Sequence, residues 1–438
     1  MDNIFTLDGR LPLSKALPIG LQHVLAMFVS NITPIIILAG IMNFDPAFKA
    51  NLVQNAMIVA GIGTLIQLFP VWKIGARLPI VMGISFTFLS VAIGVATTYG
   101  YGTMMCAVII GGIVEGLLGL FARYWIRIIT PVVASTIVIA IGFSLLPIGA
   151  ASFAGGQGAA DFGSARNWIV GTVTLLSCIL FRVFTKGFFK SISVLAGLVV
   201  GYILAIFMDL VDFSPLKECG IISLPTIPML KEGFELDFNL GAILSFVVIF
   251  LVSATETIGD TSALTAAGLH RGASTKEYSG ALACDGFISS IAGVFGCTPI
   301  TSFSQNVGLV GMTGVVNRYA IGTGAAVMII AGIFPAFGAL LCTVPSCVLG
   351  GCTIMMFGSI IFAGFEMLSR CKINTHNKSV VILSLSVGLG FTQVTGMFDI
   401  FPQMIQDIFA NNCVAVVFVV ALITNAFNLS RTKEDSDA

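Results

Sequence analysis

Pro79-Ile-Val-Met-Gly-Ile-Ser-Phe86 and Pro299-Ile-Thr-Ser-Phe-Ser-Gln-Asn306 begin 220 residues apart and open alike, on Pro-Ile. Each starts a segment that is short and rich in Gly and polar residues, yet each lies among long apolar runs. A helix that spans the hydrocarbon core needs about 20 apolar residues. Measured against that length, the chain divides into about fourteen segments: 17–40, 51–71, 79–96, 103–122, 128–148, 167–184, 189–209, 239–260, 279–297, 300–316, 319–338, 342–364, 378–395 and 404–427. The two Pro-Ile stretches begin the third and the tenth. The expected fold class is an all-α polytopic membrane protein with about 14 transmembrane segments.

Composition agrees with that class. Of the 438 residues 57% are hydrophobic and 10% charged, where soluble chains carry about 25% charged residues. Mean hydropathy is +1.02. The net charge is zero and no basic block marks a nucleic-acid partner. The ten cysteines show no CxxC spacing. Cys106, Cys178, Cys284, Cys342 and Cys352 sit in apolar runs and read as small buried hydrophobes. With three histidines (His23, His270, His376), no metal spacing and no nucleophile motif, nothing points to an enzyme, a cofactor or a metal site.

Charge placement gives an orientation. Asp2 and Asp8 precede the first apolar run and no cleavable signal pattern is present, so that run is expected to be the first span. With both termini cytoplasmic, 17 of the 21 Lys and Arg fall in inside segments, and only Lys49, Arg166, Lys217 and Lys231 fall outside. Basic residues resist translocation, so this bias sets topology in the inner (plasma) membrane. The largest outside loop, about 210–238, is acidic.

Fourteen spans make two sevens, and an odd-numbered unit repeated in tandem inserts upside down the second time. The offset of 220 that joins the Pro-Ile pairs also joins Gly112-Ile113 to Gly332-Ile333 and Leu120 to Leu340. On that frame Ser85 corresponds to Gln305 and Phe86 to Asn306. Interrupted segments at matching places in two halves point to a transporter's binding site. Tight packing helices loosened by glycine are the alternative.

Ionisable groups inside spans are costly, about 2.5–3.5 kcal/mol on insertion scales, and so are candidates for function. Glu256 and Asp260 share one face of the eighth segment. Asp285 lies in the ninth, and His23 in the first with Asn31 on the same face. Asp260 could equally cap a helix, Asp285 hold loop N–H groups, and His23 be a satisfied core histidine. Glu256 follows Ile249-Phe-Leu-Val252 with no Lys or Arg in its span, which leaves it the fewest alternatives. Glu115, among Gly111, Gly112, Gly116 and Gly119, reads as a group that hydrogen-bonds between helices.

These residues carry a family resemblance. Gln305-Asn306-Val-Gly308 followed by Thr313-Gly314, together with Gln22-His23, Thr255-Glu256-Thr-Ile-Gly-Asp260 and Asp285-Gly286, resembles the nucleobase–ascorbate transporters, also called nucleobase:cation symporter-2, over essentially the whole chain. The resemblance implies two inverted repeats of seven spans, with short extended strands interrupting spans 3 and 10. It implies a core domain (1–125 and 239–340), a gate domain (126–210 and 341–428), an external loop (211–238) and a cytoplasmic tail (429–438). By position, Glu256 and Gln305 resemble the side chains that hold a nucleobase edge, and Phe86 the aromatic that stacks on its ring. Ser85 and Gly308 belong to the strand and motif segments, whose backbone amides would add hydrogen bonds. His23, Asn31, Asp260, Asp285, Asn306 and Thr313 resemble the supporting and coupling network. Gln305 and Gly314 stand where members that resemble uracil carriers usually have Glu and Arg, and this pair looks like the xanthine and urate carriers. The implied activity is import of a purine nucleobase by proton symport, with Glu256 supported by His23, in a homodimer whose core slides on the gate past faces such as Gly350-Gly351. A uracil permease, a sodium-coupled carrier and an anion carrier of the same architecture are the alternatives.

Overall fold

A computed structural model of the chain describes residues 3–126, 129–217, 225–230, 235–371, 374–410 and 412–437, with side chains to 427. Parts of the expected external loop (218–224 and 231–234), with Arg127 and Lys372, lie outside the described residues.

Helices follow the apolar runs. In chain order they are α1 (Leu13–Ile41), α2 (Pro46–Leu68), strand β1 (Met82–Ile84), α3 (Leu89–Tyr99), α4 (Tyr101–Leu120), α5 (Pro131–Phe153), α6 (Ala165–Phe184) and α7 (Ser193–Phe207). The second half has α8 (Leu240–Leu269), α9 (Thr275–Val294), strand β2 (Ile300–Ser302), α10 (Ser304–Thr313), α11 (Arg318–Ile333), α12 (Pro335–Cys342), α13 (Ser346–Ser369), α14 (Thr375–Thr392), α15 (Gln403–Phe409) and α16 (Cys413–Asp437). Caps define several starts. Asp45 accepts from Phe48 N at 2.9 Å ahead of Pro46 in α2, and Ser274 and Glu277 form a reciprocal capping box on α9.

Among the described residues seven helices are long and apolar enough to cross a membrane, or nine if each bent pair counts as one span. The bent pairs are α11–α12, at 82°, and α15–α16, at 94°. The expected segments 79–96, 189–209, 279–297, 300–316 and 378–395 are shorter or more polar. Two boundaries differ from expectation. The stretch expected to open at 342 opens at Ser346, because Pro335 starts a separate short helix that ends at Cys342. The run 404–427 is two helices that meet at a corner near Asn412 rather than one rod.

Packing pairs the two halves by exchange. α4 lies on α9 as α11 lies on α2; α8 lies on α4 as α1 lies on α11; α6 lies on α7 as α14 lies on α16; α5 and α13 lie on each other. Close approach needs glycine. A Cβ on Gly286 of α9 would stand 2.1 Å from Gly116 N of α4. Gly350 and Gly351 face Phe153 of α5 and Gly171 and Thr174 of α6. They therefore tighten the α5–α6–α13 bundle and are not a sliding face toward the other helices.

At the centre β1 and β2 pair antiparallel, Met82 with Ser302, Gly83 with Thr301 and Ile84 with Ile300. A polar backbone at membrane depth must be satisfied internally, and here side chains close the ladder's outer edges. Thr64 accepts from Met82 N at 2.9 Å and Asn31 from Ile84 N at 2.8 Å. Ser289 accepts from Ile300 N and Asp285 from Ser302 N, both at 3.1 Å. Ser85 N donates to Pro299 O and Phe303 N to Val81 O. The strands and their flanking bonds, Val81 with Pro299 and Ser85 with Phe303, repeat at an offset of 218, while the bracing side chains do not. That corrects the frame set by the Pro-Ile pairs. Thr87, not Ser85, corresponds to Gln305; Phe88 corresponds to Asn306, and Phe86 to Ser304.

Candidate functional site

Beside the ladder lies a cavity of about 420 Å³. Residues after β1 (Ser85, Phe86, Thr87), residues after β2 (Ser304, Gln305, Gly308) and Glu256 and Asp260 of α8 line one side; Val138 of α5 and Ile360 and Ala363 of α13 line the other. Its mouth carries Glu366 and Arg370 near the end of α13, paired at 2.7 Å. A second cavity, of about 690 Å³, lies toward the opposite end, where α1 ends and α13 begins, and is lined by Asn43, Lys49, Ser90, Gln157 and Ser346.

The periodicity of α8 fixes the carboxylates. One turn separates Glu256 from Asp260, so both reach the same wall. Thr87 donates its hydroxyl to Glu256 Oε2 at 2.6 Å. Asp260 accepts from Ser304 Oγ at 2.7 Å and Ser302 Oγ at 3.1 Å. Asp285 is fully buried behind β2. It accepts from Thr257 Oγ1 at 2.5 Å, Gln67 Nε2 at 3.0 Å and the Ser302 amide. Gln67 in turn accepts from Ala76 N. Asp285 thus braces the strand, as one of its sequence readings held, while Glu256 and Asp260 face the cavity.

Phe86 is buried and stands edge-on to Phe357, with ring centroids 5.1 Å apart, and part of it forms the cavity wall. Gln305 and Gly308 are exposed to the cavity. The strand amides are engaged in the ladder and its braces, so they are not the free donors expected of the strand segments. Helix starts leave N–H groups open, and beside the cavity these belong to Ser304 and Gln305 at the head of α10 and to Phe86 and Thr87 after β1.

Several side chains sit elsewhere than expected. His23 does not support Glu256: its Nδ1 and its carbonyl both meet Asn306 Nδ2, at 3.1 and 3.0 Å. Asn306 is buried behind the cavity wall, and its Oδ1 has no partner among the described residues. Glu115 makes no hydrogen bond between helices; both its carboxyl oxygens are buried without a described partner. Thr313 bonds within its own turn, to Leu309 O at 2.9 Å, at the end of α10 and away from the cavity. Asn31 braces β1 and does not line the cavity. Thr87, Thr257 and Ser304 carry no signal of their own in the sequence. Hydroxyls in helices are common, and only the 218-residue frame distinguishes Thr87.

Chemically, the cavity joins two carboxylates, an amide, helix-start N–H groups and a ring within one partly apolar wall. Such a set suits a flat heterocycle whose rim alternates donors and acceptors.

Known proteins extend the geometry. Residues 14–397 match the model of a family described as a permease family. The xanthine permease of Bacillus subtilis (strain 168) is 32% identical over 416 residues, covering 95% of this chain and 94% of that one. The uric acid permease of the same organism is 30% identical over 420 residues, covering 96% of each. Among solved structures, the transmembrane domain of a cyanobacterium bicarbonate transporter superposes with a TM-score of 0.58 at 16% identity, over 95% of this chain and 99% of that one. At that identity the likeness is one of fold.

Proposed function

The chain belongs to this permease family, is a multi-pass membrane transporter rather than an enzyme, and from that premise we propose that it imports a purine nucleobase, xanthine or uric acid, by proton symport. The observation that carries the reading is the meeting of Glu256, Gln305 and the Phe86 ring in one cavity beside a pair of broken spans. The printed activities of the xanthine and uric acid permeases support the substrate class. Gln305 and Gly314, in place of Glu and Arg, favour purines over uracil.

On this reading Glu256 accepts ring N–H bonds from one edge of the base while Gln305 donates and accepts at another. The ring face lies on Phe86. Glu256 also takes and releases the coupled proton. Asp260 and Asp285 hold β2 in register. The chain spans the membrane fourteen times in two inverted repeats. α1–α4 and α8–α12 form a core that carries the base past a gate of α5–α7 and α13–α16. The exchange pattern of helix contacts supports the repeat, and the two cavities toward opposite ends support alternating access. With both termini cytoplasmic, the mouth at Glu366 and Arg370 opens inward.

Uptake of labelled xanthine, uric acid and uracil into liposomes holding the purified protein tests this. The expected result is accumulation of a purine driven by an imposed pH gradient. Accumulation that needs sodium and ignores pH overturns the proton assignment. Accumulation of uracil alone overturns the substrate class.

A further inference from the structure

The chain ahead of α1 does more than lead into the membrane. Ile4 O accepts from Val316 N at 3.2 Å and Leu7 O from Arg318 N at 3.1 Å, so residues 4–7 run along the link between α10 and α11. Asn317 caps α11 with its side-chain oxygen, through Ala320 N at 2.9 Å. Its amide nitrogen donates back to Thr6 O and Gly9 O. Leu7 packs on an apolar cluster drawn from both broken spans: Leu78 and Ile80 ahead of β1, and Val307, Val310 and Val316 in and after α10.

Asp8 sits where these threads meet. One carboxyl oxygen pairs with Arg318 and the other with Arg77, the latter at 3.2 Å. Arg318 is 5% exposed and also donates to Leu68 O at the end of α2. Arg77 belongs to the link between α2 and β1. One exposed carboxylate therefore ties the link before the first broken span to the link after the second.

We propose that residues 3–9 form a clamp, with Asp8 as its pin, that holds the two broken spans together as one body at this end of the molecule. The two arms are unequal. Arg77 and Asp8 are both largely exposed, and exposed pairs contribute little. Arg318 is buried, so removing its counter-ion strands a charge inside the protein. The Arg318 arm carries the clamp. On the transport reading above, Asp8 is then a positioning residue for the cavity, since Thr87 and Gln305 come from the two units it joins.

Hydrogen–deuterium exchange on the full-length protein in detergent or nanodiscs tests the clamp without any substrate. In Asp8→Asn the amides of 314–318 and of 71–77 should exchange at least about tenfold faster, together. Asp8→Glu should restore protection, and Arg77→Gln should stay within about twofold of wild type. Xanthine affinity, measured in parallel, should fall about tenfold in Asp8→Asn and recover in Asp8→Glu. Unchanged exchange in Asp8→Asn overturns the clamp. Faster exchange with unchanged xanthine affinity overturns the positioning role. A wild type that binds neither xanthine nor uric acid overturns the substrate reading, while the exchange arm still decides the clamp.

Discussion

The segments that follow β1 and β2 share a backbone plan and differ in what they offer. After β1, Ser85, Phe86, Thr87 and Phe88 are all buried, and one hydroxyl reaches Glu256. After β2, Ser304, Gln305 and Gly308 are exposed to the cavity and polar or open. One plan thus serves two tasks, with a largely apolar wall after β1 and exposed hydrogen-bonding groups after β2. The braces split in the same way. Thr64 and Ser289 are equivalent hydroxyls on α2 and α9, but Ile84 N is held by a neutral amide of α1 and Ser302 N by a carboxylate of α9.

Substitutions can break or sharpen that contrast. The largest effect is expected at Glu256, where both segments converge. Glu256→Gln should abolish gradient-driven uptake and weaken purine binding by ~1.5–3 kcal/mol, the range for a hydrogen bond to a charged group. Liposome uptake and equilibrium binding measure the two. A mutant that still concentrates substrate with an unchanged pH profile contradicts the coupling role.

On the β2 side, Gln305→Ala should cost ~1–3 kcal/mol in binding, because ligand groups lose their partner in a closed site. Its counterpart on the β1 side is Thr87. Thr87→Val removes only the hydroxyl that orients Glu256, for ~0.5–1.5 kcal/mol, and Thr87→Ser should recover it. If Thr87→Val costs as much as Gln305→Ala, the division between the two sides fails.

The smallest effect separates the caps of the related helices α2 and α9. Partial burial pushes the Glu277 carboxyl up, but hydrogen bonds from Arg271 and from the amide and hydroxyl of Ser274 outweigh it and hold the group at about 2. A lowered carboxylate stabilises the fold above its ordinary value of 4.5 and loses that contribution as pH falls toward about 2. Thermal melts from pH 7 downward should show wild type ahead of Glu277→Gln near neutrality and the two converging in acid. Asp45→Asn, at the start of α2, should change little, since Asn caps as well as Asp. A gap between wild type and Glu277→Gln that does not narrow in acid rules out the ionised cap.

Much of this could be read from the chain because apolar length is a strong signal. α1, α2, α4 and α8 fall where runs of about 20 residues put them. Length does not report bends, so the corners at Phe334 and Asn412 went unseen. The Pro-Ile identity gave the repeat an offset of 220, whereas the backbone repeats at 218, because a repeated dipeptide need not sit at repeated positions. Glu256 could be read from its apolar surroundings. His23 was placed on the correct inward face, but a face does not name the neighbour, and Asn306 rather than Glu256 meets it. Thr87, Thr257 and Ser304 acquire meaning only once their carboxylate partners are located.

The ladder of β1 and β2 is satisfied by protein groups on both edges. Each strand spends its inner edge on the other and its outer edge on Thr64, Asn31, Ser289 and Asp285. On the transport reading, cargo that meets Glu256 and Gln305 in the cavity need break none of these bonds. The bonds that change between loaded and empty cavity are then, on that reading, those of side chains such as Glu256 and Gln305, and the ladder crosses with its core unaltered.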